Sequence, residues 1–366
     1  MEPSEILETA LRDAVTTSSP AIARTEILQR IWQIASTQHA LTRFVLACAL
    51  AKIHKPELDV RKPYTQIADA DAFSGRTYDE RYITSFVIAH DLPCNPTTAF
   101  LTPALRNHNR ALTIDMMLEG RPAALYRTAL ALLEDIQSAR VSAQDVLIEL
   151  LRGLIQVRDE KRQRMTSLLS ELSANSDMTP LSAEAITTLL HQHLDLPHSS
   201  RLPVLMVAAA YEVAGATSLE HARQLHAHNA ADRQTGAVGD VEIVLSSDEL
   251  IAAYEMKAQR VTRNDIDLAL QKLQHHKLEH YVFITTEPID VAVSDYAKSL
   301  YVTTGTEIAI LDCISFVRHF LHFFHRQRTL YVDCYQRLLL AEPQSAVSQP
   351  LKEAWLALRR ASESNA

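Results

Sequence analysis

The sequence predicts an α/β protein: a mainly helical N-terminal domain, then a sheet with helices packed on it. Three observations carry this. Glycine is scarce, seven in 366 residues, and Ala, Leu, Gln and Glu are abundant, which favours helices. Short β-branched runs gather in the second half, at 241–245 (VEIVL), 250–258 (LIAAYEMKA), 280–286 (HYVFITT) and 307–312 (EIAILD). These runs alternate with helical periodicity, the pattern of a sheet covered by helices.

Taken in order, residues 4–55 read as two or three helices, with Ile27, Ile31, Trp32 and Ile34 at helical spacing. Residues 56–110 carry prolines at 56, 63, 93, 96 and 103 and read as a loop-rich segment around one short helix near 77–90. Helical periodicity returns over 121–173. The polar SANSDMTPL stretch at 173–181 then marks a domain boundary. Beyond it come a helix at 182–194 and an apolar helix at 202–214. The first two β runs follow, then a helix opened by Thr262 as N-cap, the third run, a helix at 290–300 and the last run. The expected domains are 1–178, for recognition or dimerisation, 179–345, the catalytic unit, and 346–366, a C-terminal helix and tail.

Composition narrows the function classes. A chain of 366 residues exceeds the roughly 250–300 at which a single core stops growing, so about two domains are expected. Hydrophobic residues make up 47%, which excludes wholesale disorder. The net charge of -8 provides no global basic field, so nucleic-acid binding requires Lys and Arg clustered on one face. Cys48, Cys94, Cys313 and Cys334 are far apart with no CxxC. A zinc site or disulfide framework is not expected, and a reducing cytoplasm is. The opening stretch MEPSEILETALRD is acidic and amphipathic, so no signal peptide is expected; no membrane span is expected for want of a long charge-free apolar run, and no nucleotide triphosphate for want of a GxxxxGK[ST] loop.

The informative segment is 239–259, GDVEIVLSSDELIAAYEMKAQ. Asp240 opens one β run, and Glu255 and Lys257 stand near the end of the next. Residues i and i+2 of a strand share a face, so Glu255 and Lys257 point together, away from Tyr254, Met256 and Ala258. SSDEL reads as a hairpin turn that brings Asp240 alongside Glu255. Phosphodiester hydrolysis needs hydroxide at neutral pH and neutralisation of a highly charged transition state. Two carboxylates, Asp240 and Glu255, suit Mg²⁺ through hard oxygen ligands, with Mn²⁺ substituting. Lys257 suits orienting or deprotonating the attacking water and offsetting developing charge.

Asp, a hairpin, then Glu-x-Lys on a strand followed by a helix resembles the active site of the PD-(D/E)xK nucleases. The resemblance implies a mixed-sheet nuclease core flanked by helices, with Asp240 and Glu255 as metal ligands and Lys257 as the catalytic lysine. Gly239 stands where the nominal motif has proline. Glu212, on the helix before the first strand, matches an extra acidic residue of some members, and Gln259 extends the motif to ExKxQ. YEMKAQRVTRNDIDLALQKL and AFSGRTYDERYITSFVIAHDLPCNPTTAFLTPALRN are similar to segments of type II restriction endonucleases of the SacI kind. That similarity implies a sequence-specific endonuclease for double-stranded DNA in a restriction-modification system, expected as a homodimer because a duplex presents two strands. The alternatives are a repair or methylation-dependent nuclease of the same fold, or a catalytically silent DNA-binding scaffold.

Other residues divide between chemistry and packing. Glu242 shares the Asp240 face and reads as a ligand or a solvated residue; Glu212, on the preceding helix, reads as an auxiliary acid or part of a buried network. Arg260, Arg263 and Asn264 follow the catalytic strand and either touch phosphates or form a solvated helix start. Arg76, Arg81, Arg106, Asn107 and Arg110 cluster in the proline-rich segment, where Arg suits guanine and Asn adenine. His319, His322 and His325 drift around a helix without an acidic companion and read as structural. His275 and His276 read as solvated, Trp32 and Trp355 as packing residues.

Overall fold

A computed structural model describes residues 1–364 apart from 18, 38, 96–97, 119, 121, 174–179, 216–218, 226–236 and 274–277. Most of the expected boundary stretch, and His275 and His276, lie outside the described residues. The chain divides into two compact units, Met1–Arg164 and Met165–Ala366.

The first unit is helical. It contains α1 (Pro3–Thr16), α2 (Thr25–Thr37), α3 (His39–His54), α4 (Gly75–Tyr78), α5 (Thr84–Ala89), α6 (Ala123–Gln137) and the start of α7 (Ala143–Ser173). The division between units falls within α7. Helix α3 is buried on every side over Leu41–Leu50, with Leu41, Phe44, Val45, Leu46, Cys48 and Leu50 fully buried and Thr42 and Arg43 buried among them. The proline-rich segment is more regular than its composition suggests. A π-helical turn at Asp79–Ile83 joins α4 to α5. Arg43 of α3 holds that turn: its guanidinium donates to Asp79 (2.8 Å), to the Thr84 hydroxyl (2.6 Å) and to the Asn95 carbonyl (2.5 Å). The other Asp79 oxygen accepts from the Thr98 hydroxyl and the Ala99 N–H. Both members of this ion pair are fully buried.

The second unit holds a five-stranded sheet with strands in sequence order: β1 (Glu220–Ala222), β2 (Val241–Leu245), β3 (Leu250–Lys257), β4 (His280–Thr285) and β5 (Glu307–Asp312). The β1–β2 and β2–β3 pairs are antiparallel, and β3–β4 and β4–β5 are parallel. The sheet is therefore mixed, as expected. Strand β1 was not anticipated, since its three residues, Glu-His-Ala, carry no apolar run. Crossover helices α10 (Arg263–Leu273) and α11 (Val291–Ser299), with the short α12 (Tyr301–Thr304), link the parallel strands. Right-handed packing of such crossovers is the rule for parallel strands.

The two sheet faces separate cleanly by strand alternation. Ala253, Tyr281, Phe283, Ile308 and Ile310 meet Ile266, Ala269 and Leu273 of α10 and Ala297 of α11. On the other face, Val241, Ile243, Ala252, Tyr254, Val282 and Ile284 lie in one core with α8 (Ala183–Leu194) and α9 (Leu202–Gly215). The same core takes in α13 (Cys313–Phe323), α14 (Arg328–Ala341) and α15 (Gln349–Ser364). Helix α15 buries Leu351, Trp355 and Leu356 there, so the C-terminal helix is part of this unit. His193 of α8 is buried against Trp355 and Tyr335. Burial lowers its pKa to about 4, against a hydrogen bond to the Leu351 carbonyl that works the other way. No helix among the described residues is long and apolar enough to cross a membrane.

Candidate active site

The β2–β3 hairpin is the frame of the site. Its register pairs Val241 with Tyr254 and Glu242 with Ala253, and one step further sets Asp240 opposite Glu255. Opposed residues of an antiparallel pair share a face. Glu255 and Lys257 alternate with Tyr254 and Met256, and so lie on the Ala253 face, beneath α10. The Asp240 carboxylate also accepts the Met256 N–H at 2.7 Å, which fixes it against the backbone between Glu255 and Lys257. The structure thus brings the three residues together at the carboxyl end of β3.

Gly239 has a physical reason to replace the nominal proline. A side-chain carbon there would stand 2.8 Å from the Tyr254 carbonyl oxygen and 3.2 Å from the Ala253 methyl. Only glycine lets the chain run this close to β3 immediately before Asp240.

Two further charged groups, Lys272 and Asp265, and the phenol of Tyr281 surround Glu255 and Lys257. One Glu255 oxygen is 3.4 Å from the Lys257 ammonium, and the other is 3.5 Å from the Lys272 ammonium and 3.3 Å from the Tyr281 hydroxyl. The Lys257 ammonium is also 3.2 Å from Asp265. The side chains of Glu255, Asp265 and Lys257 are 18%, 22% and 29% exposed, so the group is partly open to solvent. Partial burial pushes the Asp265 carboxyl up. Hydrogen bonds from Thr262 and the neighbouring Lys257 outweigh this and hold it below the usual carboxylate range.

Asp265, Lys272 and Tyr281 were not singled out from the sequence. Asp265 had a signal: Thr262-x-x-Asp265 is a capping box, and both halves form, Thr262 N–H to Asp265 at 2.8 Å and Asp265 N–H to Thr262 at 3.3 Å. Lys272 lies seven residues on, two helical turns along the same face. Tyr281 reads as an ordinary apolar strand residue, and only the pairing of β4 with β3 puts its hydroxyl beside Glu255.

Glu242 is buried, and its two oxygens take Arg223 (2.7 Å) and the Val238 N–H (2.8 Å). It thereby braces the segment leading into Asp240. Glu212 is carried by α9 on the opposite sheet face and pairs with Arg337 of α14. Gln259 and Arg260 are exposed where the chain leaves β3, and the Gln259 carbonyl accepts from the Thr285 hydroxyl at 3.5 Å. Asn264 is exposed in the first turn of α10, and Arg263 lies over the Tyr296 ring at 5.2 Å. In the first unit, Arg76 pairs with Glu80 (2.8 Å) and Arg81 stacks on Tyr82. Arg106, Asn107 and Arg110 are exposed, with Asn107 in the left-handed region at φ 56°. His319 and His322 lie on α13, where His322 meets Glu184, and His325 follows it. The four cysteines are free thiols.

A cleft of about 650 Å³ opens at the carboxyl ends of β3, β4 and β5; His191, Met256, Lys257, Thr286, Asp312 and Arg318 stand in its wall, so it takes in Lys257 but not Asp240, Glu255 or Asp265. Such strand ends are where open α/β sheets bind ligands. Among the described residues, no three His, Cys, Asp or Glu side chains are grouped to hold a metal. Asp240 and Glu255 supply two hard carboxylates on one face. That donor set suits Mg²⁺, which keeps several waters and takes one or two carboxylates together with substrate phosphate.

Residues 179–287 match the family model of the SacI restriction endonuclease C-terminal domain. That stretch runs from the start of α8 to just past β4 and contains Asp240, Glu255, Lys257, Asp265 and Lys272. No curated protein matches the chain. Over 179–287 the sheet unit is thus similar to the C-terminal domain of a restriction endonuclease, a similarity that supports a restriction-endonuclease family.

Proposed function

We propose that this chain is a Mg²⁺-dependent, sequence-specific type II endonuclease for double-stranded DNA, acting in a restriction-modification system as a homodimer. The observation that carries the reading is the meeting of Asp240, Glu255 and Lys257 on one face at the end of β3, with Asp240 bonded to the backbone of the Glu255–Lys257 step. The match over the same stretch supports it.

Asp240 and Glu255 would hold the cation. When bound, Mg²⁺ (or Mn²⁺) supplies a lowered pKa to its water and charge to the phosphoryl oxygens. The chain's own residues do the rest. Lys257 orients the attacking water and faces the charge that develops on the phosphoryl group. Tyr281 and Lys272 fix the direction of Glu255 by contacting the oxygen that does not face Lys257. Glu242, with Arg223, holds Val238 and so steadies the approach to Asp240. Arg260, Arg263 and Asn264, near the start of α10, are placed to meet backbone phosphates. Arg76, Arg81, Arg106, Asn107 and Arg110 are the candidate base readers of the helical unit.

Incubating the protein with phage DNA and Mg²⁺ and sequencing the ends tests the reading. Discrete fragments with a common terminal sequence, abolished by EDTA, are expected. Full activity in EDTA would sink the metal assignment, and random ends would remove sequence specificity.

A further inference from the structure

We infer that Asp265 is the positioning residue for the catalytic lysine, so that α10 is part of the catalytic apparatus as well as a cover for the sheet. The inference rests on the proposed role of Lys257 and extends it.

Three observations converge. First, the Lys257 ammonium lies between two carboxylates, 3.4 Å from Glu255 and 3.2 Å from Asp265. Glu255 is claimed by the proposed cation and by Lys272 and Tyr281. Asp265 is the partner of Lys257 that would not be shared with the cation. Second, Asp265 is itself fixed. One oxygen takes both the Thr262 N–H (2.8 Å) and the Thr262 hydroxyl (2.6 Å), leaving the other to face Lys257. Third, the helix that carries it is anchored: Ile266, Ala269 and Leu273 are buried against the sheet. A lysine has a long, flexible stem and one compact charge, so its direction must come from its partners. Here the direction passes from buried apolar residues, through a capped helix start, to the ammonium.

Asp265 touches no substrate in this account and acts through Lys257. Supporting groups of this kind typically contribute about 10–100-fold in activity. The capping role and the positioning role are separable by substitution. Asp265→Asn keeps a side-chain oxygen for the Thr262 N–H but removes the charge facing Lys257. Asp265→Glu keeps the charge, and Glu is favoured at this place in a capping box. Thr262→Ala weakens the cap and leaves the carboxylate.

The test uses the full chain. Single-turnover cleavage in Mg²⁺ and gel shifts in Ca²⁺ are measured for these three variants and for Lys257→Ala. In parallel, reductive ¹³C-methylation of lysines reports the Lys257 resonance, assigned by its loss in Lys257→Arg. Asp265→Asn is expected to cleave about 10–100-fold more slowly with DNA affinity unchanged and the Lys257 resonance shifted. Asp265→Glu should restore most of the rate, and Thr262→Ala, which keeps the N–H bond to Asp265 but loses the hydroxyl bond, should lower Tm and cost clearly less rate than Asp265→Asn. An unchanged rate and an unmoved resonance in Asp265→Asn, with Lys257→Ala inactive, would overturn the inference and leave the proposed function standing. Equal rate losses in Thr262→Ala and Asp265→Asn would reduce Asp265 to a helix cap. A wild-type rate in Lys257→Ala would remove the proposed function and this inference with it.

Discussion

Two charged clusters, one in each unit, are built to opposite specifications. In the helical unit, Arg43 and Asp79 are fully buried, meet at 2.8 Å, and use both Asp79 oxygens and three guanidinium nitrogens on protein partners. In the sheet unit, Glu255, Lys257 and Asp265 are about a fifth to a third exposed, with contacts of 3.2–3.5 Å. The first arrangement locks a π turn and a proline-rich loop to α3. Its saturation and burial leave nothing for a ligand. The second holds two carboxylates and an ammonium at loose contact distance and partly open to solvent, with Lys257 also reaching the wall of a neighbouring cleft. Saturated burial marks architecture here, and partial exposure with long contacts is what the proposed chemistry requires.

The largest effect that sharpens this contrast is on cleavage. Asp240→Ala is expected to lower the Mg²⁺-dependent rate by about 10²–10³ or more. It removes a negative charge near the phosphate, so a gel shift without metal should show DNA binding held or tightened. Weakened binding together with lost cleavage would point to a folding defect instead. The counterpart in the helical unit is Asp79→Ala. Leaving Arg43 buried without its partner should cost about 3–5 kcal/mol, read as a lowered midpoint in urea melts. Little change in stability would break the contrast.

Much of the sheet unit was legible in the sequence because its strands carry apolar alternation. The runs at 241–245, 250–258, 280–286 and 307–312 fall on β2 to β5 within a residue or so, and the Asp240–Glu255–Lys257 face follows from period-two geometry. The cluster around that face was less legible. Tyr281 and Lys272 reach Glu255 only through parallel pairing and a crossover helix, long-range facts that no local pattern encodes. Glu242 illustrates the converse. Its face was read correctly, but only the fold brings Arg223 and Val238 to occupy both its oxygens. In the helical unit, prolines suggested open loops. The organising residue, Arg43, lies on a largely apolar helix, and nothing local advertises its partner 36 residues away.

Smaller effects test how the site is held and how DNA is read. Gly239→Ala should push the segment before Asp240 away from the Tyr254 carbonyl, costing about 1–3 kcal/mol as overpacking does. Because that segment carries Asp240, a proposed catalytic residue, cleavage should fall by more than the loss of folded protein explains. A normal rate per folded molecule would show that Asp240 tolerates the shift. Arg106→Ala, if its exposed loop reads bases, should cost about 1–3 kcal/mol of discrimination, seen as a gel shift on specific DNA falling to the level of random DNA. Equal weakening on both DNAs would reassign Arg106 to phosphate contact.

The central claim, that the part-exposed cluster is the catalytic one, is tested most directly by Lys257→Ala. The measurement is a cleavage assay in Mg²⁺ beside a gel shift in Ca²⁺ or EDTA. One ammonium among many phosphate contacts should change the salt slope of binding by only about 1. In the transition state its loss should cost on the order of 10²–10³ in rate or more. The predicted result is specific binding nearly intact with cleavage abolished. Cleavage at the wild-type rate would contradict the account and move the catalytic centre elsewhere in the chain.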